Sequence, residues 1–258
     1  MTKRIAYLGP PGTFTEQAAM LHDATAQLMP FSSVPAVAAA VDTGMADEGV
    51  AAIENSLEGS VPETLDLLIH ESRLVIRKEL VIPIEHCLLV KPGAQYGDIK
   101  AIFSHPQALA QCRRFLERCF PKAQLVAALS TTAAVEQMLA SSTPAAAIGN
   151  VRAAEIYHAE VLAQGIQDQA NNVTRFVVLA LTDHAPTGND KTSLSFYIAE
   201  DRPGTLCDIL QEFSSRGINL MKIESRPSKQ TLGRYFFLVD LEGHRQDKAV
   251  AEALDQVK

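Results

Sequence analysis

The sequence has no apolar run of membrane-spanning length, and no charged-then-apolar leader follows Met1. A cytosolic protein is therefore expected. It also lacks a surplus of basic residues: 23 lysines and arginines face 30 aspartates and glutamates, a formal charge of −7. That balance excludes the electrostatic footprint of a nucleic-acid binder. An anion can still be held, but through local donors and not a general positive field. Cysteine is scarce, and Cys87, Cys112, Cys119 and Cys207 form no CxxC pair. Neither a disulfide framework nor a zinc site is expected, and the thiols are expected to be free and buried. The 7 histidines show no HExxH or other metal-ligand spacing. Nucleotide and hydrolase signatures are missing too. Gly9-Pro10-Pro11-Gly12-Thr13 has neither GxGxxG spacing nor a GK[ST] ending, and Ser56-Leu57-Glu58-Gly59 is not a GxSxG elbow.

What is present is a chain of 258 residues, 47% hydrophobic, long enough for two domains. It is organised around Asn171-Asn172-Val173-Thr174-Arg175-Phe176. The apolar run from Phe176 to Leu181 reads as a buried strand. The polar residues before it stand where a loop enters that strand, a place able to hold side chains rigidly beside a cavity. Turn formation by the asparagines, with Thr174 capping and Arg175 in water, is the plainer alternative.

Upstream, strand and helix patterns alternate. Residues 3–8 read as a strand stopped by Gly9-Pro10-Pro11-Gly12, and Thr13 with Glu16 fits a capping box. Residues 28–31 and 49–53 read as strands around a helix over 34–41. Ser60-Val61-Pro62-Glu63 fits a second capping box, opening a helix to about His70. The β-rich run 73–90, broken by Pro83, is expected to carry the chain to a second lobe. There, strands over 101–103, 125–129 and 145–148 alternate with helices over 106–120, 132–140 and 150–158. A return near 164–171 completes two α/β lobes joined by two crossovers, about 1–75 with 171–183 and about 76–170. Such an arrangement places a cleft between the lobes. After a linker over 184–190, a β-α-β-β-α order spans 192–199, 205–216, 219–224, 234–241 and 248–257. This is the ferredoxin-like βαββαβ order without its last strand.

Several polar groups fall at strand ends facing such a cleft. The turn before Thr13 and Thr15 offers backbone N–H groups and a helix dipole to a carboxylate. Glu54-Asn55-Ser56 ends one strand and Ser104 another. Gln107 and Gln111 lie one turn apart, away from the Leu109–Cys112–Leu116–Cys119 stripe. A solvated helix face would explain the glutamines almost as well.

In this order, Gly9-Pro-Pro-Gly-Thr-Phe-Thr-Glu-Gln-Ala18, Glu54-Asn-Ser-Leu-Glu-Gly59, Ser104-His-Pro-Gln107 with Gln111, and Asn172-Val-Thr-Arg-Phe176 resemble the prephenate dehydratases. Arg202-Pro-Gly-Thr-Leu206 and the segment Gly217 to Pro227 resemble that family's ACT regulatory domain, over residues 191–258. The resemblance implies a bilobal catalytic domain over 1–183, similar to the periplasmic binding proteins, and an effector domain for L-phenylalanine. The implied reaction converts prephenate to phenylpyruvate by loss of carbon dioxide and the ring hydroxyl. Aromatisation drives it, so no cofactor or metal is implied.

By the same resemblance Thr174 assists the departing hydroxyl, and Asn55, Ser104 and Gln111 orient the substrate. Glu54 is the one carboxyl in these motifs that could act as acid. Thr13, Thr15, Ser56, Gln107, Arg175 and Phe176 are implied substrate contacts, with core packing an equal reading of Phe176. Gly204, Thr205, Leu206, Asn219 and Leu220 match positions gripping phenylalanine across a subunit interface, which implies a homodimer or homotetramer. Glu224, Ser225, Arg226 and Pro227 match the signature coupling that region to the catalytic domain. Thr205 stands where alanine is usual and Met221 where threonine is usual, so both would re-line the effector pocket. Arogenate in place of prephenate, or a non-catalytic amino-acid sensor, are the alternatives. A fused chorismate mutase is not expected, for want of a helical segment before Lys3.

Overall fold

The computed structural model describes residues 2–198, 202–229 and 233–257. The chain divides into two compact units, Met1–Asp183 and His184–Lys258. In the first, β1 (Arg4–Leu8), α1 (Phe14–His22), β2 (Gln27–Phe31), α2 (Val34–Asp42) and β3 (Glu48–Asn55) follow the expected alternation. A two-residue β4 (Gly59–Ser60) precedes α3 (Pro62–His70) and β5 (Val75–Pro83). The second lobe holds β6 (Cys87–Val90), β7 (Ala101–Ser104), α4 (Pro106–Gln111), α5 (Arg113–Cys119) and β8 (Gln124–Ala127). It continues through α6 (Thr131–Ala140), β9 (Ala145–Gly149), α7 (Val151–Tyr157) and β10 (Glu160–Ala163), after which β11 (Val173–Ala180) returns to the first lobe.

Each lobe has its own sheet. The first has the order β2-β1-β3-β11-β5 with β4 beside β3, and the second the order β10-β6-β9-β7-β8. β11 is the last strand of the unit, yet it lies between β3 and β5 and pairs antiparallel with both. Its residues Phe176 to Ala180 are all buried, which explains the unbroken apolar run. Ile5, Tyr7, Val50, Phe176 and Val178 form the core under α1. Separate clusters line the two faces of the second sheet, one around Leu89, Val135 and Met138, the other around Leu88, Ile102 and Ile148. The two crossovers run side by side: Ile84 N donates to Asn172 O at 2.9 Å and Ile166 N to His86 O at 3.1 Å.

Three local expectations change. Ser60 pairs with Glu54 in β4, and the N-cap of α3 is Val61, with Pro62 opening the helix and no side-chain cap bond. The helix expected over 106–120 is two helices, broken at Cys112. Asp168 N takes the Gln111 carbonyl (2.7 Å), while the Asp168 carboxylate accepts from Arg114 N at 3.1 and 3.2 Å. The second crossover thus ends one helix and caps the next. All four cysteines are free, but only Cys87 and Cys112 are buried; Cys119 and Cys207 are exposed. Burial pushes the Cys87 thiol up to about 11 and the Cys112 thiol up to about 12, so neither is a nucleophile near neutral pH.

The second unit contains β12 (Lys191–Tyr197), α8 (Thr205–Ser214), β13 (Leu220–Pro227), β14 (Tyr235–Glu242) and α9 (Lys248–Gln256). Ala199, expected to end the first of these strands, lies outside the described residues. The sheet order is β12-β14-β13, all antiparallel neighbours, over a core of Phe213, Leu241, Val250 and Ala253. β12 and β13 alternate in exposure along their length, as one-face-buried strands do. No helix among the described residues is long and apolar enough to cross a membrane.

Candidate active site

The polar motif at the start of β11 meets the end of β3 in register, with Thr174 opposite Asn55 and Arg175 opposite Glu54. Thr174 therefore belongs to the strand itself, not to the loop before it. Adjacent strand residues face opposite ways, so Asn55 with Thr174 and Glu54 with Arg175 occupy opposite faces of the sheet.

On the first face a buried network forms. The Asn55 Oδ1 atom accepts from Leu57 N (3.0 Å) and Glu58 N (3.1 Å), the turn that follows its own strand. Its Nδ2 donates to Asn172 Oδ1 and Thr174 Oγ1, both at 2.8 Å, with a longer contact of 3.2 Å to Val173 O. Asn172 Nδ2 in turn donates to Gln111 Oε1 at 3.1 Å, across to the second lobe. Gln111 Nε2 donates to Glu58 Oε1 at 3.3 Å, and Gln111 Oε1 lies 2.9 Å from His86 Nε2. His86, Asn172, Thr174 and Asn55 are all buried. Burial holds the His86 imidazole below its usual value, against the opposing pull of Gln111, so the ring is neutral near pH 7. Phe14 stands edge-on to that ring, 5.9 Å between centroids.

Among the described residues Thr174 Oγ1 has one partner, the Asn55 amide, and it accepts there. A hydroxyl has one hydrogen to donate and room to accept two. The hydrogen of Thr174 has no acceptor among the described residues.

Other implied contacts are used by the protein itself. Ser104 is fully buried and donates to Ile148 O at 2.9 Å, tying β7 to β9. Ser56 Oγ accepts from Val173 N (3.0 Å), closing the turn after β3 on β11. Gln107 is exposed on α4 and takes no part in the network. Phe176, 2% exposed, is a core residue. On the opposite face Arg175 Nε donates to Glu79 at 2.6 Å, and its Nη1 lies 3.7 Å from Glu54. This places the Glu54 carboxylate in an ion pair on the face away from Thr174.

The glycine-proline turn already holds a carboxylate. Glu16 is 5% exposed and accepts from Gly12 N at 2.6 Å, while Thr13 Oγ1 accepts from Glu16 N (3.3 Å) and donates to Leu8 O (3.2 Å). This is a capping box whose acid reaches one residue further back than usual. Arg152 of α7, 3.7 Å from Glu16, faces it from the second lobe. Thr15 is buried beside it, at 8% exposure. Burial and the Glu16 charge push the Tyr7 phenol up to about 12, so it stays protonated.

The sequence motifs contained Asn172, Glu58 and Glu16, and their place beside Thr174, Asn55 and Thr13 was the available signal. His86 and Arg152 carried none.

In the second unit, Gly204 caps α8 with φ +96°, a conformation suited to glycine. Thr205 Oγ1 donates back to Arg202 O (3.0 Å), and Leu206 is partly buried. Asn219 Nδ2 donates to Glu242 at 3.2 Å beside Leu220, at the far end of α8. Glu224 lies 3.4 Å from Arg226 and 3.3 Å from Lys222 along β13, with Ser225 and Pro227 exposed between and after them. Met221, 52% exposed, points away from the core face.

Two lobes, paired crossovers and a buried polar network at their join define a bilobal α/β protein, followed by a small ferredoxin-like unit. The prephenate dehydratase family signature matches residues 5–184 and the ACT domain signature residues 192–258. The chain belongs to the prephenate dehydratase family. It is 44% identical over 256 residues to the bifunctional chorismate mutase/prephenate dehydratase of Aquifex aeolicus, covering 99% of this chain and 70% of that one. It is 41% identical over 255 residues to the prephenate dehydratase of Amycolatopsis methanolica, covering 97% and 83%. The crystal structure of prephenate dehydratase from Arthrobacter aurescens, in complex with L-Phe, superposes with a TM-score of 0.91 at 39% identity, covering 98% of this chain and 85% of that one.

Proposed function

We propose that this chain converts prephenate to phenylpyruvate in the cytosol and is feedback-regulated by L-phenylalanine. The observation that carries the reading is the free hydrogen of Thr174, held by an oxygen that accepts from Asn55. As carbon dioxide leaves one end of the ring, electrons pass through it and expel hydroxide at the other. The protein must then stabilise negative charge growing on the departing oxygen. Thr174 donates to that oxygen, directly or through a water. An alcohol is a weak acid, but accepting a bond from Asn55 polarises its own O–H and strengthens the bond it gives. The network brings no cation to the ring, which suits this step, because a cation at the ring carboxylate would hold the very charge that must be lost.

The proposed effector contacts fall at opposite ends of α8, Gly204 to Leu206 at its start and Asn219 with Leu220 past its finish. Ten residues of helix put these sets roughly 15 Å apart. A single phenylalanine touching both sets requires two chains, which supports a dimer or a tetramer built from dimers.

The test is phenylpyruvate formation from prephenate, with arogenate in parallel and with or without L-phenylalanine. Turnover of prephenate suppressed by phenylalanine is expected. Thr174→Ala is expected to lower kcat by about two to three orders of magnitude, with a smaller change in KM. Product from arogenate alone would move the substrate by one amine. An unchanged kcat in Thr174→Ala would remove that residue from the mechanism.

A further inference from the structure

The hydrogen bonds of the buried network have only one consistent direction. A carboxamide oxygen can only accept and its nitrogen can only donate. Asn55 meets two backbone N–H groups, of Leu57 and Glu58, so that end must be its oxygen. Its nitrogen then faces Asn172 and Thr174 at 2.8 Å, and the near end of Asn172 must be oxygen. The far end of Asn172 is therefore nitrogen and requires an acceptor, which Gln111 Oε1 supplies at 3.1 Å. That same oxygen stands 2.9 Å from His86 Nε2, which must carry a hydrogen. His86 Nδ1 is the bare nitrogen, buried with no partner among the described residues.

Without a donor at His86, Gln111 is held only by Asn172 and by its longer 3.3 Å bond to Glu58, and a turn would bring its amide nitrogen to Asn172. Two nitrogens would then face each other, and Asn172 could relieve the clash only by turning its own nitrogen towards Asn55. Asn55 cannot turn in response, because its oxygen is held by the backbone. The conflict would fall on the Asn172–Asn55 contact and push the Asn55 amide off Thr174. The His86 backbone is fixed in turn: its amide N–H donates to Gln167 Oε1 at 2.9 Å, and its carbonyl accepts from Ile166 N in the other crossover.

We propose that His86 and Asn172 are positioning residues of the dehydration step. By holding Gln111 in one orientation, they keep the Asn172 oxygen in front of the Asn55 amide and so hold that amide in place against Thr174, leaving the threonine hydrogen available to the leaving hydroxyl. Neither residue needs to touch the substrate. The proposal rests on the prephenate dehydratase reading of Thr174, and it goes beyond that reading by naming the crossover as the part that orients it.

The experiment has two parts. In the full-length protein, 15N imidazole shifts report which nitrogen of His86 is protonated; an Nε2–H neutral ring is expected, and an Nδ1–H ring would overturn the proposal. In kinetics, His86→Leu removes the donor, whereas His86→Gln carries an N–H to nearly the same point. His86→Leu is expected to lower kcat between about tenfold and a hundredfold with a smaller change in KM, and His86→Gln to recover kcat to within about threefold of the parent. Equal losses in both folded variants, or none in His86→Leu, would overturn it. If His86→Leu does not fold, the shift measurement and His86→Gln still decide. A parent protein that turns over no prephenate would defeat the reaction reading, while the ring tautomer would still test the network.

Discussion

Single side chains here do work that depends on which neighbour donates. Glu48 is the clearest case away from the active site. It is 4% exposed and receives His22 Nε2 at 2.7 Å and Lys3 Nζ at 3.1 Å, with Arg77 at 3.7 Å. Burial alone would raise its carboxyl, but the bonds and charges of His22 and Lys3 outweigh that and hold it below the usual 4.5. A depressed folded value means that its stabilisation is complete above 4.5 and is lost as pH falls through the lower folded value. Glu48→Gln is expected to be less stable at neutral pH and to lose less on acidification from pH 5 to pH 3, measured by denaturant midpoints at each pH. At this scale the sequence was legible where a residue sat inside a motif. Thr174, Asn55 and Gln111 stand in such motifs, and the structure joins them in one network. His86 was not found, because a lone histidine in a crossover has neither period nor spacing to mark it. Glu54 and Arg175 neighbour Asn55 and Thr174 in sequence but point through the sheet the other way.

Secondary-structure elements were legible where one face is buried and the pattern is local. β3, β9 and the paired strands of the second unit follow from apolar period and turn residues alone. The breaks were not legible, because they come from distant segments. α4 and α5 share one apolar stripe, and only Asp168, brought in by the returning crossover, divides them. Ser60 looks like a helix cap until β3 claims it as a bridge partner. The turn after β1 shows how tightly such junctions are built. Gly12 has φ +87°, and a Cβ there would lie 3.2 Å from the Cα of Ala153. Gly12→Ala is therefore both strained and crowded against backbone. It is expected to cost about 1–3 kcal/mol, seen as a lower denaturant midpoint with an unchanged slope.

Across the whole molecule, the two units have separate cores. Phe213 is fully buried in the smaller one, with Leu241, Val250 and Ala253. Phe213→Ala is expected to cost that unit about 3–5 kcal/mol, a large share of what a small domain has. Calorimetry should then show an early, separate transition, and prephenate turnover should persist without response to L-phenylalanine. Loss of turnover in a variant whose first unit remains folded would show that catalysis depends on the smaller unit. The chain order of the first unit has a further consequence, for its birth on the ribosome. Among the described residues β5 pairs only with β11, and β3, already beside β1, meets β11 along its other edge, so both edges wait for residues 173–180 to emerge. By then the whole second lobe has been synthesised and can close its own sheet. During that interval the edges of β3 and β5 stand open to wrong partners. The nascent chain is thus most exposed to aggregation just before the Asn-Asn-Val-Thr-Arg-Phe segment arrives, and that segment closes the first sheet and joins Thr174 to Asn55 in the same step.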